Sequence, residues 1–381
     1  MRAVVELPRV QPAPAADRPG RHAPRRKRPR WAVALVCIGT CLALLSAGTL
    51  VTIKVLLDRY TGAVDQQPML GAAGVGAPVK GRSALAGALN LLLVGVDERT
   101  VEDDPLGTRA DSIIVLHVDA AHDAAYMLSV PRDTVVDIPA FAKTRFTGTR
   151  TKINAAFQYG SDNGGGRGGG FELLATTVHN LTGMTFNAGA IVNFAGFESV
   201  VQTLGGVDLC VDQKVTSIHL NTHGQDLKKA GGPPMVYLPG CGHLEPWQAL
   251  DYVRQRHLKN GDYDRQRHQQ QFLKALARKA AGSGLTNPVG LDKVLVAAGR
   301  TLTVDPGAAS LTDWLFLLKG LGTDRVTMVR TNGGTYDSTK CPDGSSCEQL
   351  MPDSVAMFTA AKADSLPQFL ATHQSWIAAD K

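Results

Sequence analysis

Residues 31–53, WAVALVCIGTCLALLSAGTLVTI, run for 23 positions without one charged side chain. Roughly 20 apolar residues in helical form cross the hydrocarbon core of a bilayer, whereas the apolar core of a cleavable signal is only about 7–15 residues long. The stretch therefore reads as an uncleaved anchor, assigned to residues 31–57. A long, removed signal peptide is the alternative, and it leaves the compartment unchanged. Nine Lys/Arg residues precede the span in residues 1–30, against Glu6 and Asp17. Positive flanks stay on the cytoplasmic side. The expected localisation is the cell membrane, crossed once, with a basic cytoplasmic tail (1–30) and an extracytoplasmic body.

That tail carries a net charge of +7, more than the +6 of the whole chain. The body is consequently near neutral, which disfavours a surface for nucleic acid even though arginines cluster locally. The cysteines agree with export. Cys37 and Cys41 lie in the apolar span, where they act as small apolar residues. Cys210, Cys241, Cys341 and Cys347 form an even set in an oxidising compartment. They are expected to pair first with second and third with fourth, the latter stapling the turn CPDGSSC. A four-cysteine zinc site would need paired CxxC spacing, which is missing.

Residues 58–88 are rich in Gly and Ala without a sustained period and read as a flexible linker. Residues 89–381 are long enough for one domain with a substantial core. LNLLLVGV (89–96), DSIIVLHVD (111–119) and AAYMLSV (124–130) read as buried strands, with AIVNF, VDLCV and RVTMV as further ones. FELLATTVHNLTG (171–183) and FLKALARKAAGSG (272–284) have helical spacing and end at glycine. Strands mixed with helices imply an α/β fold with a sheet covered on both faces. NGGGRGGG (163–170) lacks the Lys-Ser/Thr of a P-loop and reads as a low-complexity loop. HLNTH (219–223) lacks the Glu of a zinc-protease motif and also reads as a loop.

The chemistry concentrates at strand ends. Asp97 and Arg99 follow the first strand, and Arg109 and Asp111 open the second. Ligands in open α/β sheets bind at such an edge, and two carboxylates there suit Mg²⁺ shared with phosphate oxygens. Arg132 follows the third strand in SVPRDT, and Lys152 and Asn154 introduce a helix in KINAAF. The stretch DYVRQRHLKNGDYDRQRHQQQ (251–271) holds the densest cations. Arg254 and Arg256 are two apart, which in extended backbone puts both on one face. After the turn NGD, Arg265, His268 and Gln269 share a face near a helix N-terminus, which favours an anion. Arg267 points elsewhere, towards solvent. Converging guanidinium forks suit a diphosphate.

These segments, NLLLVGVDER, TRADSI, SVPRDT, KINAAF, GGVDLCV, ALDYVRQRH and GDYDRQRHQQQFL, resemble in this order the LytR-CpsA-Psr (LCP) family over roughly residues 88–272. The resemblance implies an α/β/α sandwich with a central mixed sheet and a hydrophobic pocket for a polyprenyl chain. It also implies an enzyme, a phosphotransferase that moves an anionic glycopolymer of teichoic acid, arabinogalactan or capsule type from a polyprenyl-pyrophosphate carrier to peptidoglycan, releasing polyprenyl phosphate. Carried over position by position, Arg132, Arg254, Arg256 and Arg265 are catalytic, and Arg99, Arg109, Lys152 and Gln269 bind pyrophosphate. Asp97 and Asp111 hold magnesium, with manganese as a substitute. Where many members have Arg, this chain has His268. The expected partners are the lipid-linked polymer, peptidoglycan and the membrane, with no nucleic acid. A hydrolase of the same lipid diphosphate and a non-catalytic wall-polymer sensor are the competing readings.

Overall fold

The short apolar runs become strands because their β-branched and leucine side chains pack well on both faces of a sheet. In the computed structural model, which describes residues 64–76, 81–96, 108–284, 299 and 302–378, the first six strands are β1 (Asp65–Gln66), β2 (Leu89–Val96), β3 (Ala110–Val118), β4 (Ala125–Ser129), β5 (Val135–Ile138) and β6 (Thr149–Lys152). Next come β7 (Ala188–Asn193), β8 (Val207–Val211), β9 (Val215–Asn221), β10 (Pro234–Tyr237) and β11 (Gly240–Leu244). The chain finishes with β12 (Leu302–Asp305), β13 (Val326–Val329), β14 (Ser338–Lys340) and β15 (Ser346–Glu348). The expected anchor and basic tail lie outside the described residues. Among the described residues no helix is long and apolar enough to cross a membrane.

Seven strands make the central sheet, in the order β1-β12-β7-β2-β3-β4-β13. It is mixed: β2 runs parallel to β7 and antiparallel to β3, and β13 runs parallel to β4. The two-residue period of β2 separates its faces. Leu92, Val94 and Val96 join Ile113, Val115 and Leu128 against Phe157, Phe171, Leu174, Met357 and Phe358 of three helices, Ala155–Ser161, Gly166–Thr182 and Pro352–Lys362. Leu93, Ile114 and Met127 face the other way, where Leu273 of the long helix Asp262–Gly284 packs. Helices on both faces of a mixed sheet make the three layers expected.

The glycine run is not a loop. Its second half opens the helix Gly166–Thr182, which crosses the helix Ala155–Ser161 so closely that side chains are excluded. A Cβ on Gly169 would run into the carbonyl oxygen of Gly160, and one on Gly160 would meet Leu173 Cβ at 2.8 Å. Glycine serves here for close backbone approach, a role that composition alone hides.

The expected linker is also part of the fold where it is described. β1 pairs with β12, Met69 and Leu70 are buried, and their N–H groups both donate to the carboxylate of Asp305 at 2.6 and 2.9 Å. The absence of periodicity misled because this segment is anchored by a few long-range contacts rather than by an amphipathic face. Both disulfides form as paired from the sequence. Cys210 and Cys241 face one another across β8 and β11, and Cys341–Cys347 closes the β14–β15 hairpin.

A chain beginning at residue 82 will therefore be less stable than one beginning at residue 64. Losing Met69 and Leu70 and stranding the buried Asp305 carboxylate costs on the order of 3–5 kcal/mol. Thermal denaturation of the two chains in parallel checks this, and equal melting temperatures would contradict the anchoring role.

Candidate active site

The arginines of 251–271 are set by the elements around them. A helix, Pro246–Arg254, starts at proline with a Glu245–Gln248 capping box and delivers Arg254 at its last position. Gln255 then turns the chain to an extended conformation. Its side chain is buried and donates to Asp251 Oδ1 at 2.8 Å, while accepting from the N–H of Ile218. With Gln255 pinned inward, Arg254 and Arg256 reach the same cavity, as their spacing suggested. Gly261, with φ +55°, makes the turn that lets the next helix start at Asp262.

That cavity, about 800 Å³, is lined at one end by Asp111, Arg254, Arg256, Arg265 and Gln269. Asp111 accepts from Arg132 through one oxygen and from Arg256 through the other, at 3.2 Å. Asp262, which the sequence reading did not single out, bridges the remaining cations, 3.3 Å from Arg132 and 2.7 Å from the buried Arg265. Burial pushes the Asp111 carboxyl up, but Arg132, Arg265 and Arg256 outweigh it and hold it below the usual carboxylate range. At Asp262 burial is likewise overcome, by Arg265 and Arg132. Both acids are ionised at neutral pH. The four arginines and Lys152, set against Asp111, Asp262 and Asp133, leave the cluster net positive, ready for a polyanion of small size.

Gln269 is buried, and its Oε1 has no hydrogen-bond partner among the described residues. It also lines a second, smaller cavity of about 50 Å³ between the long helix and the sheet, walled by Leu93, Ile114, Val192, Val253, Phe272 and Leu273. A charged cavity thus adjoins an apolar slot.

Other expected site residues do not line the cavity, although Lys152 shares Asp133 with Arg132. Arg109 donates to Gln158 Oε1 at 3.0 Å, and Lys152 pairs with Asp133 at 3.0 Å; neither lines the cavity. Arg267 is not solvated: its side chain is 14% exposed and pairs with Asp212 and Asp264. His268 is fully buried, stacked on Tyr252 at 4.3 Å and 3.3 Å from Asp212, away from the arginines of the cavity. Burial lowers its pKa, so it is a neutral packing residue. Asn154 occupies the helix N-cap position but makes no side-chain cap bond. Asp97 and Arg99 lie outside the described residues, although the pairing of Val96 with Ala110 brings the end of β2 beside the start of β3.

The cavity is also lined from HLNTH, which is no simple loop. Its first three residues end β9, and His219 lines the cavity with Gly224 and Trp247. Behind the arginines, the C-terminal hairpin reaches in. Glu348 of β15 is buried, accepts from Tyr263 and from Asn332 Nδ2 (3.1 Å), and its N–H donates to Asp133 O. It clamps the Arg132–Asp133 segment to the start of the long helix. No local pattern marks this contact, since Tyr263 and Glu348 are 85 positions apart.

Burial moves the Glu348 carboxyl from its ordinary value of 4.5 to about 7, against hydrogen bonds from Tyr263 and Asn332 that favour the charged form. The folded protein then holds a proton that the unfolded chain releases. The stability from this group is complete below pH 4.5 and is lost as pH rises through about 7. Glu348→Gln, which keeps the acceptor oxygen, should match the native protein near pH 5 and exceed it in melting temperature at pH 8. A difference independent of pH would count against the shift.

"Probable cell wall biosynthesis protein LcpB" of Corynebacterium glutamicum is 31% identical over 285 residues, 71% of this chain and 59% of that protein. "Cell wall biosynthesis protein LcpA" of the same organism is 28% identical over 293 residues, 70% of this chain and 54% of that protein. The chain thus spans less than two thirds of these two relatives. The "polyisoprenyl-teichoic acid--peptidoglycan teichoic acid transferase TagU" of Oceanobacillus iheyensis is 29% identical, covering 66% of this chain and 69% of that protein. Among solved structures, Bacillus subtilis TagV shares the fold with TM-score 0.54 at 24% identity, covering 74% of this chain and 98% of its own. A structure of TagT bound to LI-WTA does so with TM-score 0.54 at 22%, covering 79% and 98%. The sequence model of the LytR_cpsA_psr family matches residues 63–362, well beyond both ends of the resemblance read from motifs, and the chain belongs to that family.

Proposed function

We propose that this protein is a phosphotransferase that moves an anionic glycopolymer from a polyprenyl-pyrophosphate carrier to peptidoglycan, leaving polyprenyl phosphate. The observation that carries the reading is the junction at Gln269, where a cavity walled by Arg254, Arg256 and Arg265 adjoins an apolar slot. A ligand with a diphosphate joined to a hydrocarbon chain matches both halves, and the printed name of the TagU relative describes a polyisoprenyl-linked donor. At about 50 Å³ the slot is smaller than any polyprenyl chain. Entry requires Phe272 and Leu273 to draw back from Leu93 and Ile114.

Arg254, Arg256 and Arg265 bind the diphosphate oxygens, and Arg132 orients the cluster through Asp111 and Asp262. Because Arg256 and Arg265 are pre-placed by the partly buried Asp111 and Asp262, they stabilise charge on the leaving phosphate without reorganising. Magnesium, or manganese, fits at the same edge. Asp111 is an ionised carboxylate at the cavity wall, and such an ion takes one or two carboxylates together with substrate phosphate oxygens. Asp97, outside the described residues, is the second ligand in this reading. When bound, the ion adds Lewis-acid neutralisation of phosphate charge. The anchor over 31–57 keeps the domain on the outer face of the cell membrane, within reach of a lipid-linked donor.

The test uses the full chain in detergent with a radiolabelled polyprenyl-pyrophosphoryl glycan and a peptidoglycan acceptor. Label should move to the acceptor, and Arg254→Ala should slow transfer about 10²–10³-fold. Release of polyprenyl phosphate with no label in the acceptor would establish a hydrolase instead. Tight binding without turnover would establish a sensor.

A further inference from the structure

We propose that the part of the charged cavity lined by β9, the turn after it and Trp247 is the acceptor subsite, with Trp247 seating a sugar of the acceptor glycan and His219 taking the proton of its attacking hydroxyl. The inference rests on the transferase reading above and adds to it the group that accepts the proton and the place where the acceptor lies.

Geometry assigns the side. Displacement at phosphorus runs in line, so the nucleophile enters opposite the leaving group. The leaving polyprenyl phosphate lies towards Gln269 and the apolar slot, and neither β9 nor Trp247 lines that slot. β9, the turn after it and Trp247 line the charged cavity without reaching the slot. The acceptor hydroxyl comes from there.

This wall is built rather than incidental. Asn221, buried at the end of β9, accepts from the N–H groups of His223 and Gln225 and donates to Gly231 O at 2.9 Å, holding the turn closed. Gly224 sits in that turn with φ +73°, and a Cβ there would press on the indole of Trp247 at 3.1 Å. Glycine lets the indole lie against the backbone, fixed from behind while it lines the cavity. A rigid aromatic surface with a few polar groups near it is the composition expected for binding a sugar ring. Glu198 and Lys228 supply those polar groups.

His219 is an exposed residue that lines the same cavity. The charged groups acting on it are Asp251 and Arg254 of the helix Pro246–Arg254, with Arg256 and His257 just after that helix. Burial lowers its pKa, and Arg254, Arg256 and His257 lower it further against the pull of Asp251. The ring is neutral at neutral pH and able to accept a proton. In the step, the acceptor oxygen bonds to the sugar-linked phosphorus as the bond from that phosphorus to the bridging oxygen breaks. The bridging oxygen keeps the electron pair and leaves as polyprenyl phosphate. The hydroxyl proton passes to His219 and then to water.

The experiment measures label transfer by the full chain in detergent from the polyprenyl-pyrophosphoryl glycan to a soluble peptidoglycan oligosaccharide, for the native protein, Trp247→Ala, His219→Gln and His219→Ala. Trp247→Ala should raise the acceptor KM about tenfold with the donor KM unchanged. Both His219 variants should lower kcat about 10²–10⁴-fold at unchanged donor KM. They should also abolish the loss of kcat expected of the native protein at acid pH, below the ordinary imidazole value. A raised donor KM with unchanged acceptor KM would assign the wall to the donor and overturn the proposal. So would a native pH profile in His219→Gln. If the native protein transfers no label, the transferase reading fails and this inference fails with it. Transfer that is native-like in all three variants sinks the inference alone.

Discussion

Arginines repel one another, and the site depends on two carboxylates that hold them together. Asp111 ties Arg132 to Arg256, and Asp262 ties Arg132 to Arg265. Without these acids, several cations half or fully removed from water would face each other at short range, where the local dielectric makes repulsion expensive. With them, the cluster stays assembled yet keeps a positive excess for the ligand. Asp111 comes from β3 and Asp262 from the start of the long helix, so the ion network also joins the sheet to the helix layer.

The layers around this network explain why it sits at one edge. β2, β3 and the segment after β4 all bring chain to the same end of the sheet, and Arg132 emerges there two residues after Val130. Gln255 fixes the approach from one side through Asp251 and β9, and Glu348 fixes it from behind through Tyr263 and Asp133. The Cys341–Cys347 hairpin thereby has a use beyond stapling a turn: it presents Glu348 to the base of the site. Such support from outside is what a preorganised anion site needs.

Much of this was legible in advance. The central strands read correctly because their apolar runs are short and β-branched, and the two disulfides paired as separate local staples. Arg254, Arg256, Arg265 and Gln269 were recognisable because each lies on a face that its spacing defines. Misreadings had physical causes. The glycine run looked like a loop since composition reports flexibility, whereas two helices here need bare backbone to touch. Residues 64–76 looked like a tether because their contacts are with β12 and Asp305, far along the chain. Arg267 looked solvated because its partners Asp212 and Asp264 leave no periodic trace.

The order of residues alone determined which cations were available, which segments became strands, and that the cysteines would pair, since these follow from side-chain chemistry and short-range spacing. It did not determine which cations share a cavity, which acids neutralise them, or that His219 and Trp247 line that cavity with them. Those depend on contacts between segments tens to hundreds of residues apart. Burial, the nearness of charges and the shape of an enclosed space exist only once the chain has closed on itself.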